Sequence, residues 1–169
     1  MDSPDLTHDI VVDDARQDDL PGLQSLREVA FRPIFAALRA QVGSDVAAIA
    51  YAKAEDQQAR HLAQIAAAGD GVFLLVARRS GRIAGFCAAG LDAETKIGEI
   101  GLNAVAPEHQ GFGVAQALYQ AAFLRLRQGG MKAVAVATGA DESHAPARRA
   151  YRQAGFASEV PGVYFYRRL

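Results

Sequence analysis

The sequence predicts an α/β fold: a mixed, mostly antiparallel sheet flanked by helices. Two consecutive apolar runs, 72–79 and 82–91, are separated only by Ser80-Gly81 and read as a hairpin covered on both faces. A strand over 97–105 is joined by a glycine loop to an Ala/Leu-rich helix over 114–128. The whole chain reads β-α-α-β-β-β-α-β-α-β, an order that builds a layered sandwich around one sheet.

Each element has a local cause. Ile10-Val11-Val12 is a short apolar run and reads as the first strand. Asp18 or Asp19 is expected to cap a helix with Pro21 in its first turn, and Leu20, Leu23, Leu26, Ala30 and Phe31 give it one apolar face. Pro33 is expected to break or kink that helix near Arg32, because it lacks an N–H and its ring collides with the preceding turn. A second helical piece covers 34–42 and stops at Gly43. The Ala-rich stretch 44–68 favours helix, as one segment or two, and Gly69-Asp70-Gly71 ends it. After the hairpin, 92–96 is a polar loop. Gly129-Gly130 closes the long helix, and 132–138 is a Val/Ala strand. The polar loop 139–145 leads to Pro146, suited to the first turn of a helix that stops at Gly155. Residues 163–168 alternate apolar and polar after Pro161-Gly162 and read as a last strand, whose edge is a place for a homodimer to form.

At 169 residues the chain reads as one domain, 1–169. A chain of that size buries roughly 70% of its unfolded surface and needs no disulfide or metal staple. The net charge of −1 argues against a nucleic-acid binder. A single cysteine, Cys87, excludes an internal disulfide and a multi-cysteine metal site, and its apolar surroundings suit a buried small hydrophobe better than a nucleophile. Met1 to Asp5 shows no basic region or apolar core of a signal peptide, and no apolar run approaches the ~20 residues of a membrane span. A cytoplasmic protein that binds neither membrane nor metal is expected.

The chemistry centres on residues 99–128. Gly111 and Gly113 leave backbone N–H groups uncovered where the long helix begins. Those donors have no intrahelical partner, and the helix dipole adds partial positive charge, so the terminus is suited to an anion such as phosphate. A dinucleotide fingerprint fails because Gln116 stands at the third glycine position, and the Gly-Lys-Ser/Thr of a Walker loop is absent. The spacing that fits is Gln/Arg-x-x-Gly-x-Gly/Ala, met by Gln110, Gly113 and Ala115. This resembles the pyrophosphate loop of the GNAT superfamily of N-acetyltransferases, which bind acetyl-coenzyme A. A second match is Ala147, Tyr151, Gly155 and Phe156, similar to the family's closing motif Asn-x-x-Ala-x-x-x-Tyr-x-x-x-Gly-Phe, with His144 where the Asn usually stands. The element order from Ile10 to Leu169 is the third.

The resemblance implies roles. Acyl transfer from a thioester to an amine needs a grip on the carrier, a free amine, a stabilised oxyanion and a proton for the thiolate. Gln110, Gly111, Phe112, Gly113, Val114 and Ala115 would grip the coenzyme. Asn103, Ala104 and Val105 would pair with its pantetheine arm as an added strand, where the family's sheet opens towards the strand at Lys132. A backbone N–H near Asn103 or Ala104 would face the thioester oxygen. Glu99 is the candidate base, with Glu94, Asp141 and Glu142 as rivals. By period two, Glu99, Gly101, Asn103 and Val105 share a strand face. Tyr151 would protonate the thiolate. His144 replaces the Asn contact or caps its helix; His109 reads as a turn residue. Arg148 and Arg149 either meet the 3′-phosphate or form a solvated face. Phe31, Phe35 and Tyr51 line an acceptor pocket or, with His61, only pack helices.

An N-acetyltransferase using acetyl-CoA and a primary amine, small molecule or peptide, is therefore expected. A non-catalytic acyl-CoA-binding module on the same fold is the alternative.

Overall fold

The computed structural model describes residues 9–169. A five-stranded sheet runs β1-β2-β3-β4-β5 in sequence order. Its strands are β1 (Ile10–Asp14), β2 (Val72–Arg79), β3 (Arg82–Leu91), β4 (Ile97–Val105) and β5 (Ala133–Val136). The first four are antiparallel, and β5 joins parallel to β4. The helices are α1 (Leu20–Val42), α2 (Ser44–Ala50), α3 (Ala54–Ala66), α4 (Val114–Gln128) and α5 (Ala145–Gln153).

Two cores form on the two faces of the sheet. Phe73, Leu75 and Ala77 of β2 point one way, against α4 and Tyr151 of α5. Leu74 and Val76 point the other way, against Leu23 and Leu26 of α1 and Leu62 of α3. This is the double coverage that the unbroken apolar runs predicted. On α4, Val114, Leu118, Ala122 and Leu126 recur every fourth residue, and none is more than 1% exposed. Each fully buried Leu or Phe contributes about 1.5–3 kcal/mol by leaving water. Gly85 lets this helix lie close, since a Cβ there would sit 2.9 Å from the Ala104 carbonyl and 3.0 Å from Val114.

Two expectations are corrected and one left open is decided. Helix α1 runs through Pro33 without a break. The carbonyl that the proline leaves without a donor belongs to Val29, which is 45% exposed, so that turn is solvated rather than buried. The Ala-rich stretch is two helices, α2 and α3. Residues 163–168 form no strand, and the sheet edge proposed there for a homodimer is absent among the described residues. Alternation specifies a strand only where one face can be buried; here Val163 is 76% and Phe165 92% exposed. Side chains hold this segment instead: Tyr166 meets Tyr51 hydroxyl to hydroxyl at 3.1 Å, and Arg168 pairs with Asp45 of α2.

Candidate active site

Strand β4 organises the site. It pairs with β5 only from Ile97↔Ala133 to Ile100↔Val136, then continues to Val105 paired with β3 alone. Past Ile100 the sheet is split, and one edge of 101–105 has no strand beside it. At the same point β4 carries a bulge: Ala89 pairs with Ile100 but Cys87 with Asn103, so β4 holds one residue more than β3 there. The extra residue reverses the side-chain parity. Gly98 and Ile100 face α4, and so do Asn103 and Val105. Leu102 and Ala104 face α1. Glu99, between Gly98 and Ile100, therefore lies on the α1 face, opposite Asn103. Strict period two put them together; the bulge separates them.

The open edge leads into the glycine loop. Gly111 and Gly113 have φ of 79° and 84°, a left-handed conformation that side chains with a Cβ rarely adopt. Gly113 is the N-cap of α4, and no side chain caps it. The N–H groups of Val114, Ala115 and Gln116 are thus left for a ligand. Gln110 turns back to the Val105 carbonyl at 3.4 Å, tying loop to strand. Phe112 lies under the Arg79 guanidinium, 3.8 Å from ring centre to carbon, a contact the sequence did not disclose. The Arg79 Nε is buried without a partner, which keeps a positive group beside the loop.

On the α4 face, Tyr151 of α5 is 7% exposed. Its oxygen accepts from Asn103 Nδ2 at 3.1 Å. The Asn103 Oδ1 in turn accepts from Tyr119 at 2.9 Å. Burial pushes both phenols above their ordinary pKa, while the Asn103 hydrogen bond works against this at Tyr151. Both are neutral near pH 7 and able to donate. Tyr119 is a site residue that sequence reading missed; it sits one residue past Leu118 and reads as core.

The loop before α5 is held by its own contacts. His144 Nδ1 meets Asp141 Oδ2 at 2.6 Å, and Ser143 donates to the same carboxylate. Burial opposes ionisation of Asp141, but the Ser143 and His144 bonds prevail and hold its pKa down at about 2. Asp141 is thus a committed acceptor, poorly suited as a base. His144 occupies the N-cap of α5 without capping it by its side chain. Arg148 donates to the carbonyls of Gly139 and Asp141, each at 2.6 Å, so it staples the loop instead of facing solvent. Arg149 is exposed.

Glu99 opens into a cleft of about 350 Å³ lined also by Asp92, Thr95, Gly90 and Val72. Another cleft, about 290 Å³, lies between the C-terminal end of α4 and Gly155-Phe156 and holds none of the expected site residues. Phe31, Phe35 and Tyr51 line neither. Phe31 packs on Phe35 with ring centres 6.4 Å apart, and Tyr51 turns to Tyr166. Glu94, Glu142 and His61 are exposed, and His109 is half-buried in the turn before the glycine loop. Cys87 is fully buried and burial pushes its thiol up to about 12, so it is no nucleophile. Among the described residues no group of three or more His, Cys, Asp or Glu side chains could hold a metal, and no helix is long and apolar enough to cross a membrane.

A split parallel strand pair, a glycine-opened helix start and a buried phenol beside the split define an acyl-CoA-type transferase fold. The model of the acetyltransferase (GNAT) family matches residues 35–156, and the chain belongs to that family. A mycothiol acetyltransferase from Arthrobacter sp. (strain FB24) is 40% identical over 88 residues, which is 50% of this chain and only 27% of that relative. Among solved structures, a putative GNAT acetyltransferase from Desulfovibrio desulfuricans superposes with a TM-score of 0.67 at 20% identity, over 89% of this chain and 87% of that one. The aminoglycoside N-acetyltransferase AAC(6′)-Iy, solved with CoA, gives a TM-score of 0.65 at 18% identity, over 94% of each chain. At such identities these two likenesses are of fold.

The open donors of α4 and the unpaired β4 edge fit a diphosphate joined to an amide-bearing arm. Gly113→Val places a β-branched residue in a left-handed conformation at the start of α4. It is expected to weaken coenzyme A binding more than about tenfold, or ~1.4 kcal/mol. Calorimetry on a variant shown folded by circular dichroism checks this; unchanged affinity would remove the loop from the site.

Proposed function

We propose that this chain is an N-acetyltransferase that passes the acetyl group of acetyl-CoA directly to a primary amine on a small molecule. The observation that carries this is the end of β4–β5 pairing at Ile100 and Val136, beside a helix start opened by Gly111 and Gly113. The free strand edge leads into the helix-start donors, and Gln110 ties the two together through the Val105 carbonyl.

In this reading Gly113, Val114 and Ala115 hold the diphosphate, with Gln110 and Phe112 shaping the loop. Asn103, Ala104 and Val105 bind the pantetheine arm. His144 has Nδ1 held by Asp141, so its Nε2 is the atom turned to the coenzyme. The coenzyme supplies an acetyl group activated as a thioester. A backbone N–H near Asn103 or Ala104 donates to the oxygen on which charge develops.

The amine is drawn by the carboxylates of Asp92 and Glu99, and Glu99 removes its proton, directly or through one water. The nitrogen then attacks the carbonyl carbon, the C–N bond forms and the C–S bond breaks with its electron pair on sulfur. Tyr151 gives that sulfur a proton. One proton leaves nitrogen and one arrives at sulfur, and exchange with solvent restores Glu99 and Tyr151.

A small-molecule acceptor has support in the two-carboxylate cleft, which suits a cation. It also has support in the aminoglycoside acetyltransferase of the same fold. The test is thiol release from acetyl-CoA across aminoglycosides, polyamines, amino acids and a peptide with a free N-terminus. Release with one of the first three classes is expected. Binding of acetyl-CoA with no release across the panel would favour a non-catalytic acyl-CoA-binding module.

A further inference from the structure

Tyr151 can serve sulfur only if its hydroxyl hydrogen is free to point there. An Asn amide has one acceptor end and one donor end. At Asn103 both ends are fixed. Oδ1 accepts from Tyr119 at 2.9 Å, and Nδ2 donates to the Gly101 carbonyl at 2.9 Å and to the Tyr151 oxygen at 3.1 Å. Reversing the amide would set Oδ1 against the Gly101 carbonyl, acceptor against acceptor, and turn Nδ2 towards a Tyr119 that no longer donates. With Nδ2 donating to it, the Tyr151 oxygen is an acceptor in this bond, and its own O–H is left over.

The bulge makes this possible. Without the extra residue at 101–102, Asn103 would face α1 and meet neither phenol. Tyr119 is 3% exposed and cannot touch a substrate, so its part is indirect.

We infer that Asn103, anchored by Tyr119, is a positioning residue that keeps the Tyr151 proton directed away from the protein and available to the leaving sulfur. This rests on Tyr151 as proton donor. The other titratable groups beside Tyr151 are Tyr119 on α4, whose ring centre is 5.5 Å away and whose hydroxyl also bonds the Tyr151 phenol and favours its ionised form, and the Cys87 thiol on β3; burial keeps both protonated.

The test uses Asn103→Asp, which keeps the shape but leaves a carboxylate that only accepts and so captures the Tyr151 proton. Single-turnover transfer is expected to fall by roughly 10²-fold, as in Tyr151→Phe. In the double variant the losses should not multiply, because both act through one proton. A carboxylate acting through space on the developing thiolate would instead add its own loss on the Tyr151→Phe background and overturn the inference.

A second readout needs no substrate. With Cζ-labelled tyrosine, the Tyr151 phenol of the ligand-free protein should titrate at higher pH in Asn103→Asp, since the bond that favours phenolate is gone. An unmoved titration overturns the inference. Tyr119→Phe, which keeps the ring, removes both the anchor on Asn103 and the direct Tyr119 bond to the Tyr151 phenol, so it should raise the titration and slow transfer about threefold to tenfold; full rate with no shift also overturns the inference. If Tyr151→Phe alone keeps full rate while the titrations shift, the positioning stands and the proton-donor reading falls.

Discussion

Glu99→Gln is expected to lower the chemical step by roughly 10²–10⁴-fold while folding and coenzyme A affinity hold. The substitution is nearly isosteric, and Glu99 is exposed on β4, so no core contact is lost. An alkyl amine has a pKa near ~10 and arrives protonated at neutral pH. A carboxylate at the mouth of the cleft is worth most when the free amine is scarce. The deficit should therefore shrink as pH rises towards ~10, where the amine deprotonates without help. Single-turnover rates from pH 7 to 10 separate the outcomes. A deficit that stays constant means that Glu99 holds the acceptor without taking its proton. No deficit passes the base role to Glu94 or to water, since Asp141 is tied into its loop.

Tyr151→Phe is expected to slow transfer by roughly 10²-fold with little change in coenzyme A affinity. The ring stays wedged between Tyr119 and Phe156, whose centres lie 5.5 and 5.8 Å away, so packing is retained. Asn103 Nδ2 loses one acceptor, a stability cost of about 1 kcal/mol. Full turnover under conditions where chemistry limits the rate would leave Tyr151 with packing alone.

Much of the fold was legible because its signals are local. The bounds of β2, β3, β4 and α4 follow from apolar runs punctuated by Ser80-Gly81, the 92–96 loop and Gly129-Gly130, and the i+4 stripe of α4 fixes its buried side. What was not legible depends on partners. The β4 bulge is a mismatch between β4 and β3; Gly101 inside the strand is its one local sign, and a glycine there fits other causes equally well. The Asn103–Tyr119–Tyr151 contacts join three elements that come together only after the bulge has turned Asn103. Pro33 was read by its intrinsic preference, and packing of α1 on either side of it prevailed. The alternation of 163–168 was a true pattern without a neighbouring strand to use it.

The odd residue in β4 gives the strand two working sides. Donor contacts at Asn103 and the carboxylate at Glu99 belong to one short segment yet open in opposite directions. In the proposed reading the coenzyme would enter on the Asn103 side and the acceptor on the Glu99 side, and the two would meet at the split in the sheet. Neither has to depart before the other arrives. Turnover of that kind is sequential, passing through a complex that holds both substrates at once. An inhibitor that joined acceptor to coenzyme would have to be threaded through the sheet itself, with the linker lying in the gap between β4 and β5.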